Sequence, residues 1–301
     1  MRYFVLLLIL LLAPLTRAAD TVIPLKLDSG GIADRDTRTF AVPVTINGKS
    51  YDFAWGCSGW TIVSESFAKQ AGLKVLPDEG LASWVDATGQ PLFAGTALAD
   101  VGFADRKVRS PLRVLKDAYT DGKTLGTIGY DIAGQFQWEL DPDADKPTLT
   151  IRPLGTRLPV APLAVLPLTD DGERVYLNVT VRNVAFDLVI MPQASDISAG
   201  PSVQRKWDLT KGKIEDVPSP AGPVRTITLG PKEPVQLSKK IAETGVTIML
   251  IGDPKSEQDL PASTNGIGAS MLNRYVYIVD LKTKQCALLS RVKLPATQPA
   301  K

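Results

Sequence analysis

The sequence predicts an all-β protein built from two copies of one strand unit, and three observations carry that prediction. Short strand-like runs recur between turn signals, with little that reads as helix. Val22-Ile23-Pro24-Leu25 returns as Val165-Leu166-Pro167-Leu168, opening each copy. Ile128-Gly129, then Phe136 to Leu140 and Asp141, return at a constant offset as Ile267-Gly268, then Tyr275 to Val279 and Asp280. Two copies of one β unit imply two lobes facing each other across a pseudo-twofold axis.

The elements follow in order. Residues 1–19 read as a signal peptide: Arg2 supplies the positive end, Phe4 to Leu12 an apolar stretch, and Pro14 breaks it. Small residues near Ala18 and Ala19 then offer a cleavage point. The apolar run falls short of the roughly 20 residues that span a bilayer, so the mature chain is expected to be exported, to the periplasm, cell envelope or medium. Residues 20–151 form the first copy. Phe40 to Ile46 is a strand that turns at Asn47-Gly48 into Tyr51 to Trp55, and Ser64 to Gly72 is a short helix with Gly72 as its stop. Thr148 to Ile151 closes the copy. The proline-rich segment 152–168 reads as the linker. Residues 169–292 form the second copy, with strands Tyr176 to Val181 and Phe186 to Met191 around a turn at Asn183, and Cys286 to Leu289 last. Residues 293–301 are a polar tail.

Composition excludes whole classes of chemistry. The chain has no histidine, which rules out Ser-His-Asp and Cys-His nucleophile systems and the common imidazole zinc sites. Loss of the leader removes Arg2 and Arg17 and leaves acids and bases in balance, so charge gives no reason to expect nucleic acid or an anionic membrane as partner. No cofactor is implied. Cys57 and Cys286 are either one disulfide, in an oxidising compartment, or two free thiols.

Val44-Thr45-Ile46-Asn47-Gly48, Tyr51-Asp52-Phe53-Ala54-Trp55 and Thr61 through Leu73 together resemble the start of a retropepsin-like aspartyl protease domain. In that family the second strand ends in Asp-Thr-Gly-Ala-Ser, and a Thr-Val-Ile-Ser-like strand and a helix ending Ala-x-x-x-Gly-Leu follow. Ile128-Gly129 and Ile267-Gly268 resemble the family's later apolar-apolar-Gly element. The resemblance implies a bilobal acid-protease-like fold, two retropepsin-like β-barrel lobes.

The aspartates themselves are missing. Anchoring on Thr61 to Ser64 places the first catalytic position at Trp55, followed by Gly56, Cys57 and Ser58; matching Asn47 with Asn183 places the second at Met191, followed by Pro192 and Gln193. An aspartic protease activates water with two carboxyl groups that share a proton. Neither tryptophan nor methionine can hold it. Asp52 lies three positions before Trp55 and faces the other side of the strand, Asp187 lies about 13 Å up its strand from Met191, and Asp196 has no partner in the first copy.

The resemblance therefore implies a pseudo-protease that binds an extended peptide between its lobes. The alternatives are an active endopeptidase whose aspartates lie elsewhere, and a structural envelope protein with a filled cleft. Trp84 to Leu92, with Asp86-Ala87-Thr88-Gly89-Gln90 at its tip, corresponds to the family's flap, or is a plain surface hairpin. Its second-copy counterpart, near Pro218 to Pro223, is short and proline-rich. Trp55 and Trp60 either floor a ligand site or fill space between the copies. Asp141, Asp143 and Asp145 alternate like a calcium loop, but Lys146 and Arg152 stand where its glycine and glutamate belong. Asn178-Val179-Thr180 is a glycosylation sequon inside a strand.

Overall fold

The computed structural model describes residues 20–27, 38–82, 84–85, 89–103, 105–120, 124–143, 146–158, 161–217, 223–256 and 264–291. The leader, the tail, Asp86 to Thr88, Asp145 and residues 218–222 lie outside the described residues. The fold is all-β, and the helices that interrupt it are short.

The first hairpin shows how the sequence sets local structure. Phe40–Ile46 and Lys49–Trp55 pair antiparallel from Ala41↔Ala54 to Ile46↔Lys49. Asn47 and Gly48 join them with φ of 51° and 75°, the paired positive dihedrals that match the right-handed twist of two strands. Val175–Val181 and Val184–Ile190 repeat the arrangement through Arg182 and Asn183, at φ 49° and 63°. Arginine is a poor residue for a positive φ. Its guanidinium compensates by bonding Glu233 at 2.7 Å and donating to the carbonyl of Trp207 at 3.0 Å.

Beyond each hairpin the chain makes the same set of crossings twice. Lys49–Trp55 runs parallel to Gly126–Ile128, which is antiparallel to Ile62–Ser64, itself parallel to Arg106–Leu115. In the second copy Val184–Ile190 runs parallel to Gly266–Ile267, which is antiparallel to Ile197–Ala199, itself parallel to Thr247–Leu250. A helix follows the short strand in each case. Glu65–Gln70 is capped by Ser64, whose hydroxyl accepts from the Phe67 N–H, and Gly72 at φ +67° ends the turn beyond it. Pro201–Lys206 is its unforeseen counterpart, and one signal for it was Pro201 at the first helical position.

One antiparallel sheet joins the copies. The hairpin Gln137–Asp141/Thr148–Arg152 abuts the hairpin Val276–Asp280/Gln285–Leu289 through Trp138↔Val279, Glu139↔Ile278 and Leu140↔Tyr277. Thr21–Pro24 flanks one side and Ala164–Asp170 the other, so the two opening motifs occupy equivalent outer strands. The predicted linker is thus shorter than 152–168: Arg152 ends a strand and Ala164 begins one. Pro167 is tolerated there because the ladder's donors are supplied by neighbours such as Leu168, whose N–H reaches Lys284.

Both cysteines are buried and unbonded. Burial raises the Cys57 thiol far above its usual range and pushes Cys286 up to about 12. Since the thiolate is the nucleophile, neither is expected to react with an aromatic disulfide reagent at pH 8 until the chain unfolds. Time-resolved thiol titration with and without denaturant checks this; a fast-reacting thiol in the native state would contradict it.

Candidate functional site

The two loops that replace the predicted catalytic segments meet at the junction of the copies. Trp55 ends its strand with 1% of its surface exposed, its ring stacked on Phe103 at 5.7 Å and edge-on to Trp138 at 5.3 Å. It is a packing residue of the interior. Gly56 is required by close approach: a Cβ there would stand 2.6 Å from the Ile128 carbonyl and 3.5 Å from the Gln193 carboxamide carbon. The Gly56 and Cys57 N–H groups both donate to that carbonyl at 3.0 Å.

From Cys57 onward the first loop is held by the second copy. The Cys57 thiol lies 3.8 Å from the Ile190 carbonyl, the Ser58 hydroxyl accepts from the Val175 N–H at 3.4 Å, and the Gly59 N–H donates to the Glu173 carbonyl at 2.7 Å. Tyr130 adds its hydroxyl to Asp170 at 3.3 Å. The turn that supplies these contacts is preorganised: Asp171 accepts from the N–H groups of Glu173 and Arg174 and from the Tyr176 hydroxyl. On the other side, Met191 donates its N–H to Ile267 at 3.0 Å, Pro192 is buried, and Gln193 reaches back toward Gly56.

The nearby acids are engaged elsewhere. Asp52 pairs with Lys26 at 2.7 Å, Asp187 accepts from Asn178 at 2.8 Å, and Asp196 accepts from Ser195 at 3.3 Å. Asp131, which the sequence reading did not single out, accepts from the Thr61 N–H at 2.8 Å and hydroxyl at 2.7 Å, and from Ser110. It anchors the far end of the first loop. Its signal in the sequence was its place two residues after Gly129. Asp143 donates its N–H to Asp141 in a local turn, and among the described residues no three His, Cys, Asp or Glu side chains converge to hold a metal.

The 84–92 hairpin is rooted beside this junction. Val85 bridges Pro91, and the Leu92 N–H donates to Trp84 at 2.8 Å. Gly89 sits at φ +82° and, with Gln90, is exposed. Trp84 packs edge-on to Trp60 at 5.3 Å and to Phe93 at 6.3 Å. Arg113 lies over Trp60 at 4.9 Å and is fixed by Asp78 at 2.6 Å and Thr96 at 2.7 Å. These half-buried rings tie the hairpin to the residue that follows the first loop. In the second copy Ile214–Val217 pairs with Val224–Thr228 on either side of residues 218–222, which lie outside the described residues.

A scan against protein-family models and a search of curated proteins found no match to this chain.

Two carboxyls near the junction carry a pH dependence. Asp78 is lowered, chiefly by the Thr96 hydroxyl and further by the Gly80 N–H and Arg113. Burial pushes Asp171 upward, but hydrogen bonds from Tyr176, Glu173 and Arg174, with the Arg174 charge, lower it on balance. A carboxyl depressed in the folded state contributes stability that is present above its unfolded value, about 3.9, and is lost as pH falls through the folded value. The melting temperature is therefore expected to decline below about pH 4, and less steeply in Asp171→Asn. Melting curves from pH 2 to 7 test this; equal slopes would refute the assignment.

Proposed function

We propose that this chain is an exported, non-catalytic relative of the retropepsin-like aspartic proteases, bilobal, that holds an extended peptide across the junction of its two copies. The observation that carries the reading is the twofold repetition of the crossing pairs, Trp55↔Ile128 and Ile190↔Ile267, with Trp55-Gly56-Cys57 and Met191-Pro192-Gln193 in the loops they support. Peptide hydrolysis in such a frame needs two carboxyl groups sharing a proton at that place. An indole, a thioether and a carboxamide cannot supply it. What the frame still offers is an extended strand's usual recognition, backbone pairing with alternate side chains in pockets. The half-buried Trp60, Trp84 and Phe93 at the hairpin root provide an apolar contact surface for such a segment.

The contacts between the Cys57 to Gly59 loop and residues 173–175 favour a second reading, a closed junction with a structural role in the envelope. A synthetic peptide array separates the two. Peptide binding is expected to weaken about tenfold or more in Trp84→Ala, which removes a contact ring. Absence of any retained peptide would favour the structural reading.

A further inference from the structure

We infer that Gln193 is the residue that grips the ligand at the junction, its carboxamide pairing with one backbone amide of an extended peptide. The inference rests on the peptide-binding reading above and names the contact within it. Three observations carry it. Gln193 lies where the second loop faces the first, its amide carbon 3.5 Å from where Gly56 would carry a Cβ. Its Oε1 is buried and makes no hydrogen bond with the described residues. The backbone N–H groups of the two loops have other partners: those of Gly56 and Cys57 donate to Ile128, that of Met191 to Ile267 and that of Ala194 to Met191.

A buried acceptor left without a donor is costly, whereas one that gains a donor on binding converts that cost into affinity. The carboxamide is suited to a peptide group because it carries an acceptor and a donor side by side, the complement of a backbone N–H and C=O. It is also neutral. A ligand amide can pair with it without the desolvation of a charge that a lone carboxylate would impose. Gly56 lets the first loop lie against the Gln193 amide: a Cβ there would meet that amide only at van der Waals distance, 3.5 Å, but would clash with the Ile128 carbonyl at 2.6 Å.

The test uses the mature chain and the tightest binder from a random decapeptide array, resynthesised with each backbone nitrogen methylated in turn. Wild type is expected to lose about tenfold in affinity at one methylated position, the size of a lost hydrogen bond. Gln193→Ala and the isosteric Gln193→Met are expected to bind the unmodified peptide about tenfold more weakly and to be insensitive to methylation at that position, because the pair has already been broken. Both should melt close to wild type. Equal binding by wild type and either folded variant, or an unchanged methylation profile in both, overturns the role of Gln193 while leaving peptide binding intact. Failure of wild type to bind any array peptide overturns the peptide-binding reading and this inference with it.

Discussion

Trp55→Asp, alone or with Met191→Asp, yields no peptidase and costs the fold more than about 4 kcal/mol. Removing a large aromatic from a packed core costs about 3–5 kcal/mol by itself. Trp55 has 1% of its surface exposed and contacts Phe103 and Trp138, so the site cannot collapse around a smaller residue without disturbing both rings. Aspartate also puts an ionisable group into a packed apolar interior, which raises the penalty further. Urea denaturation monitored by tryptophan fluorescence gives the stability loss, and a fluorogenic peptide assay at acid pH gives the activity. A folded double variant that cleaves peptide would show that only the two side chains separate this protein from a protease.

The second large effect belongs to backbone packing. A Cβ on Gly129 would stand 2.2 Å from the Trp60 carbonyl carbon, 2.5 Å from the Gly59 oxygen and 2.5 Å from the Thr61 nitrogen. On Gly268 it would stand 2.4 Å from the Asp196 oxygen and 2.6 Å from the Ala194 oxygen. These neighbours are backbone atoms, held by the bonds that close each loop: Tyr130 to Gly59 in the first copy, Ala269 to Ala194 in the second. They cannot turn aside as a side chain can. Gly129→Ala and Gly268→Ala are each expected to lose on the order of 3 kcal/mol. Gly230→Ala, whose nearest contact is the end of the Glu233 side chain at 3.8 Å, should change stability by less than about 0.5 kcal/mol. Thermal melts of the three variants decide it; a mild Gly129→Ala would mean that the loop is not packed against that element.

These glycines also show how much was legible in the sequence. Ile128-Gly129 and Ile267-Gly268 stood out as a repeat, and the structure gives the physical reason: each glycine passes under a loop that leaves no room for a side chain. The hairpin turns were legible because Asn47-Gly48 and Asn183 are suited to positive φ. The Pro201–Lys206 helix was missed because it is short and lacks a side-chain cap, leaving Pro201 at its start and Arg205 and Lys206 in its last turn as its signals. The start of the strand at Ala164 was missed because its prolines read as linker.

At the junction the limits were different in kind. Periodicity shows that Trp55 points to one face of a strand, but whether that face is a cleft or a core depends on Phe103 and Trp138, far away in sequence. The clasp between Gly59 and Glu173 joins backbone atoms, which carry no side-chain signature. Asp131 lies in a short helix, and nothing in the local sequence sets it apart from other acids. Only the packed chain brings Thr61 and Ser110 to it.

The central claim is reached most directly when purified protein spanning residues 20–301 is incubated with a proteome-derived peptide library between pH 3 and 8, and bound and free peptides are sequenced by mass spectrometry. Recovery of peptides that are retained yet uncut at every pH is the predicted result. New cleavage products that vanish when a single aspartate is changed to asparagine would contradict it.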